Sequence, residues 1–334
     1  MFSWTLRIAG WIIGICALLF GIFALLKPLT APQTVVADQS YAISPASNSA
    51  FYRTARQGDI VLYAGYDLDR TLDVFAFNPE QNAFVAREQY RLDQHGFVPW
   101  ERYGRNNALV ICEAPTGVVL SGPENSQTVD FQAGALSMQR SQVPCPDPSS
   151  GIACREGVTR FHGWLAGRLD TLTICYSSEA RATTFHITSA EGVRRDLGAA
   201  GTSPGGPGRF VVTRGVQPNT FLAHHTQVIP ESAVLIDADA GTVEPFAIPD
   251  LSEVFVSRGF GAGFHGVTLH PVRGGLVAEG EGGDVFFLQN GDARVLTDSA
   301  VGESVRIGSE SCTVMLVARA GAGLEFRIYD LCGR

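Results

Sequence analysis

From residue 51 onward the sequence repeats one short theme: an apolar strand, a turn, a second strand ending in a polar turn, and a third strand. The first copy reads DIVLYAGYD (59–67), DVFAFNPEQ (73–81) and NAFVAREQY (82–90), and a weaker one begins at ALVICEAP (108–115). Others follow at TLTICYSSE (171–179), at RFVVTRG (209–215) with AVLIDADAG (233–241), at GGLVAEGEG (274–282) and at CTVMLVARA (312–320). Period-2 alternation of β-branched and aromatic residues dominates these segments, and the turns NPEQN, SAEG, DADAG and QNGD carry the Asn, Asp or Gly that tight hairpins need at positive φ. A sheet this small cannot bury its own faces. It must pack on its neighbours, so six such units, about 47 residues each, predict sheets arranged in a ring. The alternative for an all-β chain of this length is a pair of β-sandwiches.

Two segments carry a resemblance. VLIDADAGTVEPF (234–246) and VFAFNPEQNAF (74–84) resemble the strand–turn–strand hairpins of β-propeller repeat proteins, in particular the quinoprotein-type and YVTN-type repeats. The resemblance implies an all-β propeller of about six blades over 51–334. The tryptophans of quinoprotein repeats are missing, because Trp100 and Trp164 lie elsewhere, so no quinone and no other cofactor is expected. The last unit lacks a third strand before Arg334. A strand near Phe51 to Arg56 is expected to complete it, so that the first and last blades share one sheet.

Before this domain, Ile8 to Leu26 runs IAGWIIGICALLFGIFALL without a charge. At ~1.5 Å per residue it matches the ~30 Å of a bilayer's hydrocarbon core. The predicted organisation is a short cytoplasmic tail (1–7), a transmembrane anchor (8–26), a linker (27–50) rich in Pro, Ser, Thr and Ala, and the β domain (51–334). Val35-Val36-Ala37 has the pattern of a signal-peptidase site, but the apolar run is long for a signal peptide and Ala37 lies far beyond its end, so an uncleaved anchor is expected. Gly10, Gly14, Ala17, Gly21 and Ala24 share one face of such a helix, and small residues let a second helix approach closely. The expected partners are therefore the membrane and a transmembrane helix, of another protein or of a second copy.

Orientation follows from cysteine. Cys16 lies in the apolar run, and six others remain, an even number that suits disulfides in an oxidising compartment. The large domain is thus expected on the periplasmic or extracellular side of a bacterial cell membrane. Cys145 and Cys154 flank a short loop and are the easiest pair to close; Cys312 and Cys332 bracket a predicted hairpin; Cys112 and Cys175 would be left, with buried thiols as their alternative.

Formal net charge is −8, and no run of Lys or Arg offers a nucleic-acid footprint. His265 and His270 sit in a glycine-rich segment, GFGAGFHGVTLHPVRGG, and with His224 and His225 they are the candidate catalytic residues, placed where they could converge at a funnel. Their spacing matches no zinc motif, and no metal is expected. Asp237-x-Asp239-x-Gly241 starts like a calcium loop but falls on a hairpin turn, where Asp is favoured anyway. With no nucleophile elbow, P-loop or Cys-x-x-Cys, the chain reads as a protein-interaction or assembly subunit of a membrane complex rather than an enzyme; the alternative is a hydrolase or lyase with a histidine-lined site.

Overall fold

The computed structural model describes residues 33–43, 51–58, 60–66, 71–78, 81, 83–97, 110–122, 125–146, 154, 158–165, 168–177, 182–200, 210–225, 233–249, 251, 266–280, 282–300, 305–307, 312–321 and 323–332. They form six small sheets, in each of which strands adjacent in sequence pair as an antiparallel meander. The sheets are Phe51–Gln57 to Ala83–Arg91, Val110–Ala114 to Ala135–Arg140, Val158–Trp164 to Arg194–Ala200, Phe210–Arg214 to Thr242–Phe246, Val267–Val272 to Asp292–Thr297, and Arg306–Ile307 to Gly323–Asp330. Two large facing sheets, as in a sandwich pair, are not what these residues build.

The units hold strands that the sequence pattern did not display, the first strand in the third and fifth sheets and the second strand, Thr220–His225, in the fourth. Thr220–His225 is buried along its whole length, so it shows no alternation. Val267–Val272 contains Pro271, which argues against a central strand; here the strand is paired on one side only, where a missing N–H costs little. The segment holding His270, expected as a loop, is therefore a strand.

Apolar clusters fill the spaces between successive sheets. One joins the first and second sheets through Leu62, Val74, Val118 and Val129. Others join the third and fourth (Ile174, Phe185, Phe221, Ile236), the fourth and fifth (Leu222, Leu269, Phe286), and the fifth and sixth (Val277, Phe287, Val314, Leu316). The last joins the sixth sheet back to the first: Met315, Val317 and Phe326 pack on Tyr63, Phe75 and Phe77, with the Phe77 and Phe326 rings 5.2 Å apart. Between the second and third sheets the cluster is smaller, Ala114, Val119 and Cys145 with Cys112 and Trp164.

One disulfide lies in that thin interface, and a second ties the chain entering the third sheet to its second strand. Cys112 bonds Cys145, and Cys154 bonds Cys175, with Cα atoms 6.0 and 5.6 Å apart. Cys145 and Cys154 are thus not joined to each other: the chain leaving the outermost strand of the second sheet returns to that sheet's first strand before it enters the third. Cys312 bonds Cys332 across the open end of the last hairpin.

The segment expected as a linker is partly structural. Gln33–Thr34 pairs in parallel with Asp292–Thr297, and Gln39–Ile43 pairs antiparallel with Gly323–Asp330, completing the sixth sheet. Val35 is buried between the fifth and sixth sheets, and its N–H donates to the Val295 carbonyl at 2.7 Å. The strand that supplements the last sheet is therefore 39–43, while Phe51–Gln57 opens the first sheet. Among the described residues no helix is long and apolar enough to cross a membrane; the apolar run 8–26, with Gly10, Gly14, Ala17, Gly21 and Ala24, lies outside them.

Candidate functional site

Three of the four candidate histidines meet where the fourth sheet packs on the fifth. His224 and His225 end the strand Thr220–His225, and His270 lies on the facing first strand of the fifth sheet. His265 lies outside the described residues.

His224 is 1% exposed, and both of its ring nitrogens serve the backbone. Nε2 accepts the Leu269 N–H at 2.9 Å, which fixes the proton on Nδ1, and Nδ1–H donates to the His225 carbonyl at 3.2 Å. The Leu269 carbonyl in turn accepts Thr213 Oγ1–H at 2.6 Å. Leu269 belongs to a strand paired on one side only, so two side chains of the fourth sheet take up the peptide groups that no neighbouring strand reaches. Burial drives the His224 pKa down to about 4, with smaller contributions from His270 and His225, so the ring is neutral at pH 7. This arrangement holds two sheets together. It leaves His224 no free nitrogen for a metal or a proton transfer.

His270 Nε2 lies 3.2 Å from Glu279 Oε2, on the next strand of the same sheet; both side chains are buried. The His225 ring stands edge-on to Phe210 at 5.4 Å between centroids. A buried His–Glu pair is the arrangement here most like a general base with its orienting carboxylate. Among the described residues no group of three or more His, Cys, Asp or Glu is arranged to hold a metal.

The calcium-like turn is fully engaged. Asp237 Oδ1 accepts the N–H groups of Asp239 and Ala240 at 2.9 and 2.8 Å, closing the hairpin. The Asp239 carboxylate accepts Asn219 Nδ2 at 2.6 Å and Arg168 Nη1 at 3.2 Å, and these contacts hold its pKa below the ordinary carboxylate value. Arg168 comes from the third sheet, so the turn is a fastening between the third and fourth.

One contact between distant chain segments escaped the sequence reading. Arg214 Nη2 donates to Glu113 Oε1 at 2.7 Å across 101 residues, linking the first strand of the fourth sheet to that of the second. No spacing rule reaches so far; only an arginine or glutamate placed on the first strand of a unit would have hinted at it.

No family model matches the chain, and no curated protein matches it. Solved structures align with it at low similarity. One is PorZ, a surface component of the type-IX secretion system of Porphyromonas gingivalis, at 9% identity and a TM-score of 0.40, covering 87% of this chain and 39% of PorZ. Another is a DUF4221-family member from Bacteroides vulgatus, at 10% identity and 0.40, covering 90% of this chain and 99% of that one. Saccharomyces cerevisiae Sqt1 aligns at 9% identity and 0.39, covering 89% and 100%. The chain thus spans well under half the length of PorZ, and at these scores none of the three carries an argument about function.

Proposed function

We propose that the protein is a six-bladed β-propeller held at a bacterial cell membrane by residues 8–26, with its blades in the periplasm or outside the cell, acting as an interaction or assembly subunit of a membrane complex. The six sheets with apolar packing from each to the next and from last to first support the propeller. Three disulfides point to an oxidising, non-cytoplasmic compartment.

The observation that carries the reading is the docking of 33–43 into the fifth and sixth sheets. Only residues 27–32 separate the apolar run from the first paired residue, Gln33. Six residues span at most ~20 Å when fully extended, so the blades would be held against the bilayer surface and not swung out on a long tether. Cutting after Ala37 would remove a paired strand and the buried Val35, which supports retention of the anchor.

Purification of the full chain from membranes in mild detergent tests this. A stoichiometric partner, or self-association that is lost when Gly14 and Gly21 are replaced by Leu, is the expected result. A monomer found wholly in the soluble fraction, its amino terminus beginning at Asp38, would overturn it. The hydrolase or lyase reading retains the His270–Glu279 pair as its ground, and unchanged function in the His270→Ala variant would remove it.

A further inference from the structure

On the third sheet, a hydroxyl, an imidazole and a carboxylate are linked in series. Thr184 and His186 stand two residues apart on Ala182–Thr188, so their side chains leave the same face. His186 Nε2 lies 3.1 Å from Thr184 Oγ1, and its Nδ1 lies 2.6 Å from Asp196 Oδ1 on the neighbouring edge strand, Arg194–Ala200. An ionised carboxylate only accepts hydrogen bonds, so the ring proton sits on Nδ1. Nε2 then keeps its lone pair and accepts the Thr184 hydroxyl proton. Arg194 Nε donates to the same Asp196 oxygen at 3.2 Å, and the contacts with His186 and Arg194 hold the Asp196 pKa below the ordinary carboxylate value.

A break in strand register assembles this set. Phe185 pairs with Gly198, but the next residue, His186, pairs with Asp196, which leaves Leu197 as an extra residue on the edge strand. In an unbroken ladder Leu197 would stand opposite His186. Instead Leu197 packs on the other face with Ile174, Phe185 and Ile187, against the fourth sheet, and Asp196 takes the place beside the imidazole. Gly198 has a φ of 113°, a conformation that favours glycine. Bulges of this kind re-aim a side chain and recur beside active sites.

The face that carries the set is turned to the second sheet. Trp164 shares it, through the pairing of Trp164 with Thr171 and of Thr171 with Thr188, and Trp164 packs on Val119 of the second sheet. Apolar packing at this junction is confined to that small cluster. The facing wall, on the side of Val119, is polar: Thr128 pairs opposite Val119, and Asp130 follows two residues on. Gln132 and Gln139 Nε2 donate to the Asp130 carboxylate at 2.7 and 3.3 Å, and each amide carries a second N–H.

We propose that Thr184, His186 and Asp196 form an acyl-transfer site that hydrolyses small polar carboxylic esters between the second and third sheets. It goes beyond the interaction-subunit reading and rests on neither the anchor nor closure of the ring. Thr184 Oγ bonds to the ester carbonyl carbon while its proton passes to His186 Nε2. The adduct breaks its bond to the alcohol oxygen, which leaves with that proton. A water molecule then attacks the acyl-threonine and gives its proton to His186. The carboxylic acid departs as Thr184 Oγ takes the proton back. Asp196 stays ionised and is a positioning residue, holding the ring with Nε2 toward the hydroxyl and stabilising the imidazolium.

The test is hydrolysis of para-nitrophenyl acetate and para-nitrophenyl octanoate by the full chain in mild detergent, with mass spectrometry of acid-quenched samples. The expected result is turnover of the acetate well ahead of the octanoate, and an acetyl group on Thr184. Thr184→Ala and His186→Gln should each lower kcat about 100-fold or more, while Thr184→Ser retains turnover. Asp196→Asn should lower kcat about tenfold with KM unchanged. His95→Ala, whose ring packs on Tyr90 of the first sheet, should react as wild type does. Turnover no faster than in buffer, turnover that survives Thr184→Ala, or an acetyl group found only on another residue overturns the site. A stoichiometric membrane partner without esterase activity removes this site alone; esterase activity in a soluble monomer removes only the membrane-subunit reading.

Discussion

His224 makes acid stability of this fold a direct readout of how the fourth and fifth sheets are joined. Its ring must stay unprotonated at Nε2 to accept the Leu269 N–H, and burial lowers its pKa from 6.5 to about 4. The unfolded chain therefore binds the proton first. Stability from this group is full above pH 6.5, falls as pH drops through the window between 6.5 and 4, and is lost below it. A shift of that size corresponds to about 3 kcal/mol at its limit, and about 2 kcal/mol of it should be gone at pH 5. The neighbours facing the ring are His225 on its own strand and His270, which is paired with Glu279, on the fifth sheet. Asp196 and Asp239, whose contacts depress their pKa, lose their contributions only below about pH 4, outside the window. The assay is urea unfolding at a series of pH values from 7.5 to 4.5, for wild type and for His224→Gln. The glutamine amide oxygen still accepts the Leu269 N–H but cannot titrate. Wild type should lose about 2 kcal/mol more than the variant between pH 7.5 and 5. Parallel pH profiles would refute the reasoning.

Three further outcomes follow from the same geometry. Replacing Cys154 and Cys175 together by Ser opens a link spanning 21 residues on the third sheet, and denaturant unfolding should show a loss of about 3 kcal/mol. Val35→Asp puts a charge between the fifth and sixth sheets and should cost about 3 kcal/mol or more, whereas Val36→Asp, at a position 79% exposed, should leave the unfolding midpoint nearly unchanged. Gln57→Ala removes an amide that both accepts the Phe131 N–H at 2.8 Å and donates to the Phe131 carbonyl at 3.2 Å, joining the first sheet to the second; thermal unfolding should report about 1–2 kcal/mol less stability.

Much of the fold was written locally. Strands such as Ala182–Thr188, buried at alternate residues, and turns such as Asp237 to Gly241 follow from side-chain period and turn chemistry over a few residues. Two inner strands, the second of the fourth sheet and the first of the fifth, were not legible in that way. A strand covered on both faces shows no alternation, and one bonded on a single side tolerates Pro271, so neither signal survives in Thr220–His225 or Val267–Val272. The surroundings of the candidate histidines were hidden for the same reason. His270, expected in a loop, lies on a buried strand, and His224 gives both nitrogens to the backbone.

By itself, the sequence determined the kind of sheet and the number of units, because alternation and turn residues act between neighbours along the chain. It also determined that the six cysteines after the apolar run would suit an oxidising compartment. Tertiary structure decided everything that depends on which sheet meets which. Cys145 closes on Cys112 and not on Cys154, Gln39–Ile43 completes the last sheet in place of Phe51–Gln57, and Arg214 finds Glu113. The physical reason is that each small sheet leaves apolar faces and unpaired edges that only another sheet, distant in sequence, can cover.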